Sequence, residues 1–131
     1  MSPRIPAACG LFAALLLATA APATAQGSTQ AAMLVQNSPL AGFRYYEGAE
    51  LWDRMQVGDA LELVREPANP HDPNAVRVLW QGQMLGYLPR RENRAVARHM
   101  DAGGRVEARI VRLQQHRNPW QRIELAVYVR L

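Results

Sequence analysis

Apolar positions along this chain fall into short runs whose parity, more than their length, carries the signal. Leu61 and Leu63 flank Glu62, and Val76, Val78 and Trp80 alternate with Arg77 and Leu79. A two-residue period of this kind is that of a half-buried strand. Gln81-Gly82 then reads as a turn into Met84-Leu85-Gly86-Tyr87-Leu88, making a hairpin. Val106, Ala108 and Ile110 share one face, with Arg105, Glu107 and Arg109 on the other; the phase slips between Val111 and Leu113. Such a slip predicts a bulge or corner. Ile123, Leu125, Val127 and Val129 give the cleanest alternation. Phe43-Arg44-Tyr45-Tyr46 is an aromatic run of the kind strands favour and reads as extended.

Two segments depart from that period. Glu47 to Met55 places Leu51, Trp52 and Met55 at helical spacing. A second helix is expected to open at Pro89, a residue suited to a first helical position. It would run to about Ala102, with Val96 and Met100 on its apolar face and Gly103-Gly104 as its stop. Short strands with two intercalated helices predict a mainly β fold: a small OB-like or SH3-like barrel of five to six strands.

The N-terminal segment belongs to no such pattern. Met1 to Arg4 carries one positive charge, and Leu11-Phe12-Ala13-Ala14-Leu15-Leu16-Leu17-Ala18 forms an apolar core. Pro22 and the small-x-small Ala23-Thr24-Ala25 follow. That order is the layout of a secretory signal peptide over residues 1–25. A spanning helix wants roughly 20 apolar residues, and this core is shorter and ends at a proline. The expectation is therefore an exported protein, periplasmic or secreted, without stable membrane insertion after cleavage. Residues 26–32 are small and polar and read as a flexible lead-in; ordered structure is expected from Met33 as one domain over residues 33–131. Cys9 precedes the apolar core, which argues against a lipid-modified cysteine, and no other cysteine exists. An exported chain usually draws stability from disulfides; the part after the leader must rely on core packing.

The 15 basic residues are all arginine, against 11 acidic ones, for a net charge of +4. That mild excess fits an ordinary soluble surface as well as an anionic partner, and arginine in particular suits planar phosphate and carboxylate groups. Enzyme chemistry finds no support: no paired carboxylates, Ser/His/Asp order or phosphate-cradling glycine loop stands out. His71, His99 and His116 are widely spaced and predict no metal site. No cofactor is expected.

The most informative stretch is Arg65-Glu66-Pro67-Ala68-Asn69-Pro70-His71-Asp72-Pro73-Asn74-Ala75-Val76. Its prolines exclude a regular element. It reads as a stiff loop whose Asn and Asp side chains either tie the turn or present fixed polar groups to a ligand. This run, followed by Gly86-Tyr87-Leu88-Pro89-Arg90 and preceded by Gly42-Phe43-Arg44-Tyr45-Tyr46, resembles the HIRAN domain over about residues 34–113.

That resemblance implies a modified OB-like barrel, found in fork-remodelling ATPases and as stand-alone bacterial proteins. It implies a non-enzymatic module that binds nucleic acid, capturing the 3′ end of single-stranded DNA. Carried over by motif, Arg44, Tyr45 and Tyr46 would contact backbone and stack on the terminal base. Asn69 and Asp72 would receive the terminal nucleotide, with Asp72 accepting from its 3′-hydroxyl, and Arg90 would lie near the phosphates. His71 stands where DNA-binding versions can carry a tyrosine. At the level of the residues alone, one of Tyr45 and Tyr46 could be core, and Arg90, Arg91, Arg94 and Arg98 could be a solvated helix face. A monomer is expected in either case; the alternative is a periplasmic interaction domain using the same groove for a peptide, glycan or nucleotide fragment.

Overall fold

A computed structural model describes residues 2–4 and 30–131; the proposed leader, apart from its first few residues, lies outside the described part. Six strands form one antiparallel sheet: β1 (Ala32–Pro39), β2 (Ala60–Arg65), β3 (Val76–Trp80), β4 (Gln83–Tyr87), β5 (Val106–Leu113) and β6 (Ile123–Arg130). Their spatial order is β1-β6-β5-β2-β3-β4. The two outer strands are brought together at one point. Just beyond β1, Ala41 N–H donates to Tyr87 C=O at 2.9 Å and Tyr87 N–H returns to Ala41 C=O at 3.0 Å. This bridge turns the sheet into a small barrel, the architecture its alternating runs predict.

The bridge depends on Gly86. A Cβ at that position would overlap the Ala41 carbonyl oxygen and crowd the Leu40 side chain, so only glycine permits this approach of two backbones. Alternation elsewhere behaves as read. Val76, Val78 and Trp80 are buried, as are Ala108, Ile110, Ile123, Leu125 and Val127. The parity slip in β5 is a register shift between Ile110 and Arg112 against β6, and it leaves Val111 exposed. Gln81 and Gly82 both have positive φ, 46° and 77°, the conformation that joins twisted strands through two residues.

Phe43 to Tyr46 is not a strand. Gly42 takes a left-handed φ of 78°, and Phe43–Tyr45 forms a 3-10 turn with Tyr45 N–H bonded to Gly42 C=O at 3.0 Å. The driving contact is Phe43, which is buried, packs edge-on to Trp52 at 5.8 Å and lies under the Arg122 guanidinium. Burying one ring of a four-residue aromatic run needs a turn, and the turn throws the neighbouring side chains outward. Helix α1 (Gly48–Leu51) continues into a 3-10 turn at Trp52–Arg54, close to the predicted span.

Helix α2 covers Arg94–Asp101 and starts later than Pro89. Pro89 instead opens a turn closed by Glu92 N–H to Pro89 C=O at 2.9 Å. Two side chains hold the chain out of the helix there. Glu92 accepts from the buried Ser38 hydroxyl at 2.8 Å, and the buried Asn93 donates to Asp72 at 2.7 Å. The end of α2 is as read: Gly103 has φ 83°, and Gly104 N–H bonds to His99 C=O while Gly103 N–H bonds to Met100 C=O. That pair of bonds is the glycine stop of a Schellman motif.

Candidate functional site

The proline-rich loop between β2 and β3 is held in one shape by its own side chains. Asn69 Oδ1 accepts from His71 N–H at 2.8 Å and Asp72 N–H at 3.1 Å. Asp72 Oδ1 in turn accepts from Asn74 N–H at 2.9 Å. These are Asx turns, which replace the backbone bonds that prolines cannot make. Arg65 clasps the loop from below, donating to Ala75 C=O at 2.8 Å and Pro73 C=O at 3.0 Å while pairing with Asp101 of α2. Asp72 Oδ2 completes the anchorage through Asn93. The turn-tying role of Asn69 and Asp72 is therefore real. It leaves further lone pairs on the Asp72 carboxylate, since each oxygen can accept more than one bond. His71 stands exposed at the tip.

Next to the loop lies a polar cluster centred on Glu66. Its carboxylate accepts from Asn69 Nδ2 at 2.9 Å and the Tyr87 hydroxyl at 3.1 Å, with Arg77 Nε at 3.5 Å. Burial, then the bond to Glu66, then the neighbouring Tyr46, push the Tyr87 hydroxyl up to about 12. Tyr46 meets the Tyr87 ring edge-on, 5.9 Å between centroids. A continuous strip thus runs from Tyr46 through Tyr87 and Glu66 to Asn69.

Arg44 and Tyr45 point elsewhere. The Arg44 guanidinium sits 5.6 Å from the Tyr45 ring centroid. Both line a hollow of about 340 Å³ with Gly42, Phe43 and the Asn118-Pro119-Trp120 turn. Tyr45 is 73% exposed, Tyr46 39% and Trp120 49%; neither tyrosine is core, and Phe43 takes that place. The structure therefore divides the predicted Arg44-Tyr45-Tyr46 group into two adjoining patches. Tyr46 faces the Asn69–Asp72 loop, and Arg44 with Tyr45 faces Trp120. Arg90 is exposed in the turn after β4.

Four residues of this region are site members that the sequence patterns do not single out. Glu66 and Tyr87 lay inside the quoted motifs without an assigned role, and Asn93 gave no signal. Trp120, an apolar ring in a polar Asn-Pro turn, was the one visible from sequence. Among the described residues no three His, Cys, Asp or Glu side chains gather to hold a metal ion, and no helix is long and apolar enough to cross a membrane.

The fold is a small closed antiparallel β barrel with a preset polar loop beside exposed aromatic rings. Its sequence assigns it further: the HIRAN domain family matches residues 33–131. The chain belongs to that family, whose members are binding domains known for nucleic-acid binding. It is 39% identical over 72 residues to a Fanconi-associated nuclease 1 homolog from Oryza sativa subsp. japonica, a match covering 52% of this chain and 7% of the rice protein. A crystal structure from Lactobacillus plantarum superposes with a TM-score of 0.68 at 30% identity, covering 76% of this chain and 96% of that one. The HIRAN domain of human HLTF superposes with a TM-score of 0.58 at 24% identity, over 75% and 78% of the two chains. At that identity the likeness concerns fold.

Proposed function

We propose that this protein is a non-enzymatic module that captures the 3′ end of single-stranded DNA. The ligand lies along Arg44, Tyr45, Tyr46 and Trp120 and ends at the Asn69–Asp72 loop. The observation that carries this reading is the junction of exposed aromatic faces with a loop already fixed in shape. Unstacked bases gain about 1–3 kcal/mol each on aromatic faces, and a rigid loop loses little entropy on binding. Arg44 and Arg90 supply charge for phosphates. The Asp72 carboxylate, beside the terminal sugar, accepts from a free hydroxyl and repels a phosphate. His71 at the loop tip offers a smaller ring than a tyrosine would.

The test is the affinity of the domain for 12-nucleotide strands ending in 3′-hydroxyl or 3′-phosphate, at low salt where phosphate contacts are strongest. The hydroxyl strand is expected to bind at least about tenfold tighter, and Tyr45→Ala to weaken it by about 5- to 150-fold, the cost of one stacked base. Equal affinity for the two ends would remove end recognition. Absence of binding to either strand would remove the nucleic-acid reading and leave the envelope peptide or glycan as the alternative.

Export is a separate part of the same proposal and rests on the leader of residues 1–25. Expressed in a Gram-negative host, the protein should be recovered from the periplasm with Gln26 as its first residue. Recovery from the cytoplasm with residues 1–25 intact would overturn it.

A further inference from the structure

Seven of the arginines are engaged by other side chains. Arg65, Arg77, Arg112 and Arg130 each meet a carboxylate. Arg44, Arg54 and Arg122 lie over aromatic rings. Arg90, Arg105, Arg109 and Arg117 have neither a carboxylate partner nor a ring among the described residues and are exposed. The same holds of Arg91, Arg94 and Arg98, and these three lie together. They line a shallow hollow of about 290 Å³ with Glu92 and Ala95. Glu92 is the one acid in that run, and it receives the Ser38 hydroxyl. Asp101, the acid at the end of α2, is drawn to Arg65. The positive charge along the outer face of α2 is thus left uncompensated by the fold.

The position of this face is fixed by the contacts of α2. Asn93 and Asp101 are tied to the loop side, through Asp72 and Arg65. Val96 and Ala97 are buried against the core, and His99 lies beside Met33 and Val35 of β1. At 3.6 residues per turn, Arg94 and Arg98 project about 40° apart and about 6 Å along the axis, in the sector between loop and β1. The stripe therefore begins next to the Asn93–Asp72 anchorage and leads away from it along the helix.

We propose that Arg91, Arg94 and Arg98 form a second, sequence-independent surface that holds the phosphates of the strand leading into the captured end. This rests on the end-capture reading and extends it from one nucleotide to the strand behind it. The surface adds affinity only to ligands long enough to reach it, and it makes their binding steeply salt-dependent, because each neutralised phosphate releases counterion.

The experiment compares the wild-type protein with R91Q/R94Q/R98Q on 3′-hydroxyl oligothymidylates of 3 and 12 nucleotides, by fluorescence anisotropy across a salt series. Glutamine keeps helix propensity, and unchanged thermal melts confirm the fold. The triple variant should bind the 3-mer as wild type does and lose about tenfold or more on the 12-mer. Its log–log salt slope for the 12-mer should be shallower by about 2, from about 0.7 per phosphate contact. Equal loss at both lengths, or none at either, overturns the proposal while end capture stands. Wild-type protein that binds neither length removes end capture and the stripe with it. Binding to phosphatidylglycerol vesicles that the variant loses, with 12-mer affinity unchanged, assigns the stripe to lipid and also overturns it.

Discussion

Tyr87 shows how one side chain can join a barrel to its site. Its backbone closes the sheet against Ala41 while its hydroxyl fixes Glu66, and Glu66 orients Asn69. The folded protein holds the Tyr87 proton up to about 12, whereas an unfolded tyrosine releases it near 10. Its contribution to stability is therefore full below about pH 10 and is lost as pH rises through about 12. Thermal melts between pH 9 and 12 should show wild type losing stability more steeply than Tyr87→Phe, and parallel curves would refute the linkage. The motif made Asn69 and Asp72 legible in sequence because prolines and Asx residues act locally. Glu66 with Tyr87, and Asp72 with Asn93, were not legible as pairs, since each lies 21 residues apart and meets only through the fold.

Among elements, the β2–β3 loop is as well secured as a strand, and Arg65 is the reason. Its side chain is largely buried, bonds two loop carbonyls and pairs with α2. Asp101 holds its carboxyl below the usual range through that pair. Arg65→Ala should cost about 1–3 kcal/mol, the worth of hydrogen bonds to a charged group. Amide exchange in residues 66–75 should accelerate more than in β6; unchanged exchange there would show that the Asx turns suffice. Strands β2 to β6 were read well because parity survives burial on one face, as in β3 and β6, whereas β1, mostly exposed, shows no such parity and was not read as a strand. The Phe43–Tyr46 turn was misread because its apolar run is too short to display a period, and Phe43 chooses its burial by contact with Trp52 and Arg122. Pro89 was misread as a helix start because the residues that delay α2, Ser38 and Asp72, are remote in sequence.

For the whole molecule, closure is concentrated in one bridge that tolerates no side chain at Gly86. Gly86→Ala must push Ala41 away and is expected to destabilise by about 1–3 kcal/mol, the usual cost of overpacking. Denaturant unfolding measures it, and a change under 0.5 kcal/mol would mean the barrel shifts freely there. No cysteine lies in the described residues after Arg4, so nothing covalent offsets such a loss.

Leu131 N–H bonds to Ala31 C=O at 3.0 Å, placing entry and exit of the domain side by side. A unit whose two ends coincide can be spliced into a longer polypeptide at a single point without parting the flanking segments. Such a unit can be carried between contexts like a plug with both wires on one side.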